Sequence, residues 1–386
     1  MNFRSAIFSD SDPNNLARGI ADQLSVIASP DLVVVFISSR LNPVFDRIVA
    51  DIRRQTGARN IIACNAQSVL GNHRELENHL AVAALAMSLP GVKINTFQLG
   101  DDQWHKLLTN PSALRSAIHG DASVRSFFLF GDPFTTPITQ ILEVMSREFP
   151  QAPVMGGMTS GIRAAGESRM AVDDRVFHAG AIGVALSGPV QIDCVVSQGC
   201  RPIGEAMTVT QGRGNVIAGL DNTAPMEIIT DLCQSLARHD QAAVEKRGLL
   251  IGRVIDRRKG NFGRGDFLVR NILDADRTNG SITIGDLVET GQIVQFHVQD
   301  AQTATEDLHL LLQGHLVLAD KPLGALMFSC NGRGAGLFGE PNHDVAAVQS
   351  LMGPLPLAGF FAAGELGPVG KSNFIHGQTV CLAMFH

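Results

Sequence analysis

Three separate stretches of the chain repeat one order of patterns, and this repetition limits the possible folds more than any other feature. Each stretch opens on a short apolar run that reads as a buried strand, at residues 32–37, 127–130 and 325–328. A polar or glycine-containing loop follows, then a helix whose apolar residues fall three or four apart. These are Phe45, Ile48, Val49 and Ile52 in the first stretch, Ile138, Ile141, Leu142 and Met145 in the second, and Val345, Val348 and Met352 in the third. Pro43 and Pro137 lie near the first two helix starts, where a missing N–H costs nothing. A second strand then ends in small residues, at 61–66, 154–161 and 357–365, as in one βαβ crossover.

The rest of each stretch reads as antiparallel strands. Residues 80–87 turn at Pro90-Gly91 into 92–99, and residues 179–186 turn at Gly188-Pro189 into 190–196; the third stretch ends with 376–385 alone. A second correspondence runs from strand 92–99 through Asp101 and a helix with Leu107 and Leu108, and from strand 293–298 through Asp300 and a helix at 308–312. The expectation is an α/β protein with mixed parallel and antiparallel sheets, its internally repeated strand-helix-strand-hairpin units forming two related halves. The boundary falls near 219–225, giving domains 1–220 and 221–386.

Composition removes several function classes. The formal charge of -6 is spread without a basic block, so the footprint for binding a phosphate backbone is missing and nucleic acid is not an expected partner. With no Tyr and one Trp, aromatic platforms for bases or sugars are not expected either. Residues 1–9 alternate apolar and polar and run into Asp10, Asp12 and Asn14, unlike a secretory leader. The apolar runs at 32–37 and 80–87 fall far short of the roughly 20 residues of a membrane helix, so no membrane insertion is expected. Six scattered cysteines without a Cys-x-x-Cys pair read as reduced thiols in a cytoplasmic protein, and no metal is expected.

Chemistry should sit beyond the carboxyl ends of the strands, where loops vary and helix N-termini point donors outward. That rule selects six segments: Ser38-Ser39-Arg40; Asn65-Ala66-Gln67-Ser68; Gly131-Asp132; residues 156–161 with Gly157, Thr159 and Ser160; residues 329–336; and residues 364–370. As repeat-equivalent loops they would converge on one crevice. In Cys330-Asn331-Gly332-Arg333-Gly334 the glycines expose backbone N–H groups, so an anion could be cradled with Arg333 as its fixed charge. The alternative is a tight turn whose Arg333 pairs with a structural carboxylate.

Gly364-Glu365 places a charge in an apolar, glycine-rich stretch; it needs a partner, and Arg333 is the nearest candidate. Cys330 is a weak candidate nucleophile, with His343 or His376 as base, against the plainer reading of a buried thiol. Asp101-Asp102 and Asp173-Asp174 read as solvated turns. No Gly-Lys-Ser/Thr follows the glycine loop, and Gly212-Arg213-Gly214 lacks the third glycine of a dinucleotide fingerprint, so no cofactor is expected. The candidate ligand-binding set is Asn65, Asp132, Gly157, Thr159, Ser160, Cys330, Asn331, Gly332, Arg333, Gly334, Gly364 and Glu365.

These C-terminal residues carry a resemblance. Phe328-Ser329-Cys330-Asn331-Gly332-Arg333-Gly334, residues 356–361, Gly364-Glu365-Leu366-Gly367-Pro368 and residues 373–379 resemble the C-terminal domain of FIST proteins, and residues 267–272 and 291–297 fit it in the same order. The first half is similar to the FIST N domain at 33–36, 61–71 and Gly156-Gly157-Met158-Thr159-Ser160, although Asn65-Ala66-Gln67 departs from the small, glycine-containing turn expected there. The resemblance implies a stand-alone sensory module of signal transduction that binds small ligands, amino acids or other small carboxylates among them. Its output would pass through a separate protein partner. No catalytic residues come with it. A protein-interaction scaffold and a Cys330-dependent enzyme are the alternatives.

Overall fold

The computed structural model describes residues 1–121 and 123–386. The first repeat runs β1 (Asn2–Ser9), α1 (Pro13–Leu24), β2 (Leu32–Ser38), α2 (Phe45–Thr56), β3 (Asn60–Ala66), β4 (Val69–Gly71), β5 (Arg74–Leu76) and β6 (Ala81–Ser88). The second runs β7 (Lys93–Leu99), α3 (Trp104–Thr109), α4 (Pro111–Ala117), β8 (Val124–Gly131), α5 (Ile138–Glu148), β9 (Val154–Met158), β10 (Met170–Val172), β11 (Arg175–Phe177) and β12 (Ala181–Ser187).

The third opens with β13 (Ile192–Gln198) and is interrupted by a segment with a different architecture. That segment holds β14 (Cys200–Arg213), β15 (Val216–Leu220), α6 (Pro225–Ser235), α7 (Arg238–Arg247), β16 (Leu250–Val254), β17 (Phe267–Ala275), β18 (Ile282–Ile284) and β19 (Ile293–Gln299). The repeat resumes with α8 (Ala301–Leu318), β20 (Gly324–Cys330), α9 (Ala335–Phe338), α10 (His343–Met352), β21 (Leu357–Ala362), β22 (Glu365–Val369), β23 (Ser372–His376) and β24 (Thr379–Phe385).

The fold is α/β with mixed sheets. Three six-stranded sheets have equivalent orders: β1-β6-β2-β3-β10-β11, β7-β12-β8-β9-β22-β23 and β13-β24-β20-β21-β4-β5. In each, the two strands of the βαβ unit are parallel and the named partners beside them antiparallel. The short hairpin of each repeat leaves its own sheet. β4 and β5 join the third sheet with Val69 opposite Phe360, β10 and β11 join the first with Met170 opposite Cys64, and β22 and β23 join the second with Glu365 opposite Gly157.

Two expectations about pairing are corrected. Residues 80–87 and 92–99 do not pair, and neither do 179–186 and 190–196, because β6 and β12 lie inside the first and second sheets while β7 and β13 are edges of the second and third. The third repeat is not short of a strand, since β13 supplies its edge, and Ile293–Gln299 is instead a barrel strand. The two halves are related through this unit, which the first carries twice and the second once.

The apolar runs explain the layering. In β2, Leu32, Val34 and Phe36 point into one core while Val33, Val35 and Ile37 pack against Ile20 of α1 and Ile48 and Ile52 of α2, so both faces are covered. The equivalent phenylalanines Phe36, Phe130 and Phe328 meet as a near-equilateral triangle, with ring centroids 5.6, 6.3 and 5.9 Å apart. The small residues of the second strands are required by close approach. A Cβ on Gly156, where φ is +143°, would lie 2.0 Å from the carbonyl oxygen of Leu129, and one on Gly359 would lie 1.8 Å from that of Met327.

Spatially the chain divides into two compact units, Met1–Val196 with His309–Ile375 and Thr379–His386, and Ser197–Leu308 with His376–Gln378. The second is a closed barrel of order β14-β15-β18-β17-β16-β19 filled by Val209, Ile217, Ile251, Ile282 and Phe296. No helix among the described residues is long and apolar enough to cross a membrane.

Candidate functional site

In the first unit, the loops beyond the carboxyl ends of β2, β3, β8, β9, β20 and β21 surround one hollow of about 610 Å³. Ser39 and Arg40 follow β2, Gln67 follows β3, Phe134 follows β8, residues 159–163 follow β9, Asn331 follows β20 and Ala363 follows β21; Asn78 adds to the wall.

Buried hydrogen bonds hold these loops against one another. The backbone N–H groups of Phe134 and Thr135 donate to Asp132 Oδ1 at 2.9 and 2.8 Å, and Ser168 donates to Asp132 Oδ2. Asn65 accepts from Arg169 N at 2.8 Å and donates to the Ser160 carbonyl at 3.2 Å. The Ser160 hydroxyl accepts from Gln67 N and donates to the Phe361 carbonyl, so one side chain joins all three repeats. Thr159 donates its N–H to Gly131 O and shares a hydroxyl contact with Ser168. Asn65 and Asp132 therefore serve as floor beams, while Thr159, Ser160 and Asn331 also face the hollow.

Two guanidinium groups stand at the rim. Arg40 is exposed and donates to the Asn78 carbonyl at 2.8 Å; Arg163 is exposed, and among the described residues neither is in an ion pair. Phe134, 52 % exposed, adds an apolar surface beside them. Arg40, Arg163, Gln67, Asn78 and Phe134 are outside the candidate set read from the sequence. Their signal was position alone, since Arg40 and Asn331 lie directly beyond equivalent strand ends.

Arg333 lies elsewhere than expected. Its side chain has no exposure, and its Nε and Nη2 donate to Asp344 of α10 at 2.6 and 2.7 Å. Ser329 Oγ donates to the same carboxylate at 3.2 Å, His343 Nδ1 lies 3.1 Å from it, and the guanidinium sits over Phe338, on which His343 stacks. Burial alone would raise the Asp344 pKa, but Arg333 holds it below the usual carboxylate range. The carboxylate partner of Arg333 is thus Asp344 and not Glu365, because α10 delivers its first turn onto the Arg333 loop.

Hairpin β4–β5 adds two acids here. Glu75 accepts from Val345 N at 3.0 Å, and burial and then Asp344 push its pKa up to about 7. Glu77 accepts from Ala335 N at 2.7 Å, and a Cβ on Gly334, where φ is +69°, would meet the Glu77 carboxylate at 2.8 Å.

Glu365 is fully buried; its Oε2 accepts from Thr379 Oγ1 at 2.6 Å and from Thr379 N at 3.3 Å. Burial pushes it up to about 8, against the opposing pull of Thr379, Cys330 and Arg333. Cys330, at the end of β20, is buried and its Sγ accepts from Gly332 N at 3.4 Å. Gly157 lies opposite Glu365 in the sheet, and the Gly364 carbonyl accepts from Met158 N. None of Cys330, Gly332, Arg333, Gly334, Gly364, Glu365 and Gly157 lines the hollow.

Two family models match the chain, the FIST N domain over residues 31–223 and the FIST C domain over residues 227–368. The chain belongs to the FIST family. FIST domains are associated with signal transduction and small-ligand sensing. Within this FIST protein, the hollow takes most of its wall from the N-domain stretch, and Asn331 and Ala363 from the C-domain stretch. An uncharacterized protein of Mycobacterium tuberculosis is 39% identical over 340 residues, 88% of this chain and 86% of that protein. One of Mycobacterium bovis is 37% identical over 327 residues, 84% and 82% of the two chains.

Proposed function

We propose that this FIST protein is a cytoplasmic sensor that takes a small organic carboxylate, an amino acid among the candidates, in the hollow at the strand ends. The observation that carries the reading is the joining of six repeat-equivalent loops around a space of about 610 Å³ with two guanidinium groups at its rim. That volume lies within the roughly 300–1,000 Å³ of small-molecule sites. A guanidinium matches a carboxylate with two parallel hydrogen bonds, which suits Arg40 and Arg163 to fixing the acid end. The amides of Gln67, Asn78 and Asn331 offer both donors and acceptors for an amino or hydroxyl group, and Phe134 offers an apolar face.

Because the loops come from all three repeats, a ligand bridging them would tighten the relation between the sheets, and a separate protein partner would read that change. Thermal-shift screening with amino acids and small carboxylates tests the reading. A ligand at 100 times its Kd stabilises the folded protein by about 2.7 kcal/mol, and the Arg40→Ala/Arg163→Ala double variant loses that shift while melting like the parent without ligand. No shift across the panel, or a shift of the same size in the double variant, refutes it.

A further inference from the structure

A second cleft of the first unit, about 940 Å³, lies away from the hollow, with Asp193, His315, Asp320, Lys371, Asn373 and His386 among its lining residues. We propose that Asp193, His315 and His386 form a three-ligand site for a divalent transition-metal ion, zinc foremost, with an open coordination position facing this cleft. The three residues come from β13, the last turn of α8 and the residue following β24. One ligand atom from each lies within 4.8 Å of the other two.

Asp193 Oδ2 is the shared corner, 3.3 Å from His386 Nε2 and 3.9 Å from His315 Nδ1. Metal–ligand bonds of about 2.0–2.2 Å place neighbouring donors roughly 3.3 Å apart in a tetrahedron. Small side-chain rotations therefore close the set around an ion. The backbone is already fixed, since His386 N donates to Gln191 O at 3.1 Å and Ala319 N to His315 O at 2.9 Å.

The second observation is what the imidazoles do not do. Both side chains are about nine-tenths buried, and His386 Nε2, the ring nitrogen that faces Asp193, makes no hydrogen bond. A buried ring nitrogen left unsatisfied costs free energy that a bound ion would recover. Two imidazoles and one carboxylate suit zinc and its transition-metal neighbours, whereas magnesium and calcium require oxygen shells. Three protein ligands leave a position for water or for a donor atom from a molecule in the cleft.

The test uses the full chain, stripped with a chelator and titrated with cobalt(II) as a spectroscopic probe and with zinc by calorimetry. The parent binds one equivalent of either ion. His315→Ala and His386→Ala each weaken binding by more than the roughly 10–100-fold that loss of an outer-shell partner costs. Asp193→Asn, nearly unchanged in volume, does the same while keeping the parent circular dichroism, which separates lost ligation from lost folding. Arg40→Ala/Arg163→Ala retains full affinity, which keeps this site distinct from the hollow. No binding by the stripped parent, or undiminished binding in Asp193→Asn, overturns the proposal.

Discussion

Replacing Glu365 by Gln should make the protein less sensitive to alkali. The carboxyl is fully buried and pushed from an ordinary 4.5 to about 8, so across most of that interval the folded chain holds a proton that the unfolded chain has released. Stability contributed by this group is complete below about pH 4.5 and falls as pH rises toward 8, at about 1.4 kcal/mol per pH unit for one proton. Gln resembles the protonated acid and keeps an oxygen to accept from Thr379. The stability difference, variant minus parent, should therefore grow by roughly 2 kcal/mol between pH 6 and pH 8, allowing for the flattening of the titration near its midpoint.

Glu75 is also pushed upward, but it is present in both proteins and cancels. Urea unfolding followed by Trp104 fluorescence measures the effect, because this single Trp belongs to the same compact unit as Glu365 and its Nε1 donates to Thr135 O at 2.6 Å. A difference that stays constant from pH 5 to pH 8 would show that Glu365 ionises inside the fold, refuting the assignment of a retained proton.

Asp344→Ala leaves the fully buried Arg333 without its bidentate carboxylate, and urea unfolding should show a loss of about 3–5 kcal/mol. Gly359→Ala would set a methyl 1.8 Å from the Met327 carbonyl oxygen across the parallel pair, and soluble expression should fall away; Gly166→Ala, at φ +86° with nothing within 4 Å, should cost only about 1 kcal/mol in the same unfolding assay.

Much of the first unit was legible because the repeat writes itself in periodicity. A run such as Leu32–Ser38, buried on both faces, is unbroken by a polar residue as far as Ile37, and the helix stripe of Phe45, Ile48, Val49 and Ile52 marks the face that covers it. The destinations of the hairpins were not legible. β4 is only Val69-Leu70-Gly71, and nothing in three residues states that they pair with β21 of another repeat. The barrel escaped for a similar reason, since its strand Ile293–Gln299 has the length and apolar content of a sheet edge such as Lys93–Leu99.

At the site, strand ends located the loops but not the roles of their residues. Arg333 drew attention because it stands among glycines, yet glycine is needed there for close packing of the Glu77 carboxylate, and the guanidinium turns inward. Arg40 and Arg163 have no such flanks to mark them. Asp193, His315 and His386 carry no motif at all, because a ligand set assembled across three distant elements leaves no spacing to recognise.

The buried polar groups gain a single physical meaning once the exchange of hairpins is considered. Three sheets of equivalent order present three similar edges, at β3, β9 and β21, and three short hairpins must each find the right one. Apolar packing alone discriminates weakly between such edges. The hairpins differ in what they carry. β10 and β11 bring Met170, Ala171 and Val172 to β3, a largely apolar match. β4 and β5 bring Glu75, whose carboxylate meets the start of α10, and the chain just after them brings Glu77 to the loop after Arg333. β22 brings Glu365, whose carboxyl is received by Thr379.

Docked on a wrong edge, Glu75 or Glu365 would be buried without those donors, at a cost of several kcal/mol for a charge or a few for a neutral acid. Glu365, which in sequence suggests a ligand site, therefore acts with Glu75, in the fold, against the wrong assembly of near-identical parts. In the proposed function, recognition of a small molecule falls instead to side chains such as Arg40 and Arg163, which the assembled loops leave facing solvent.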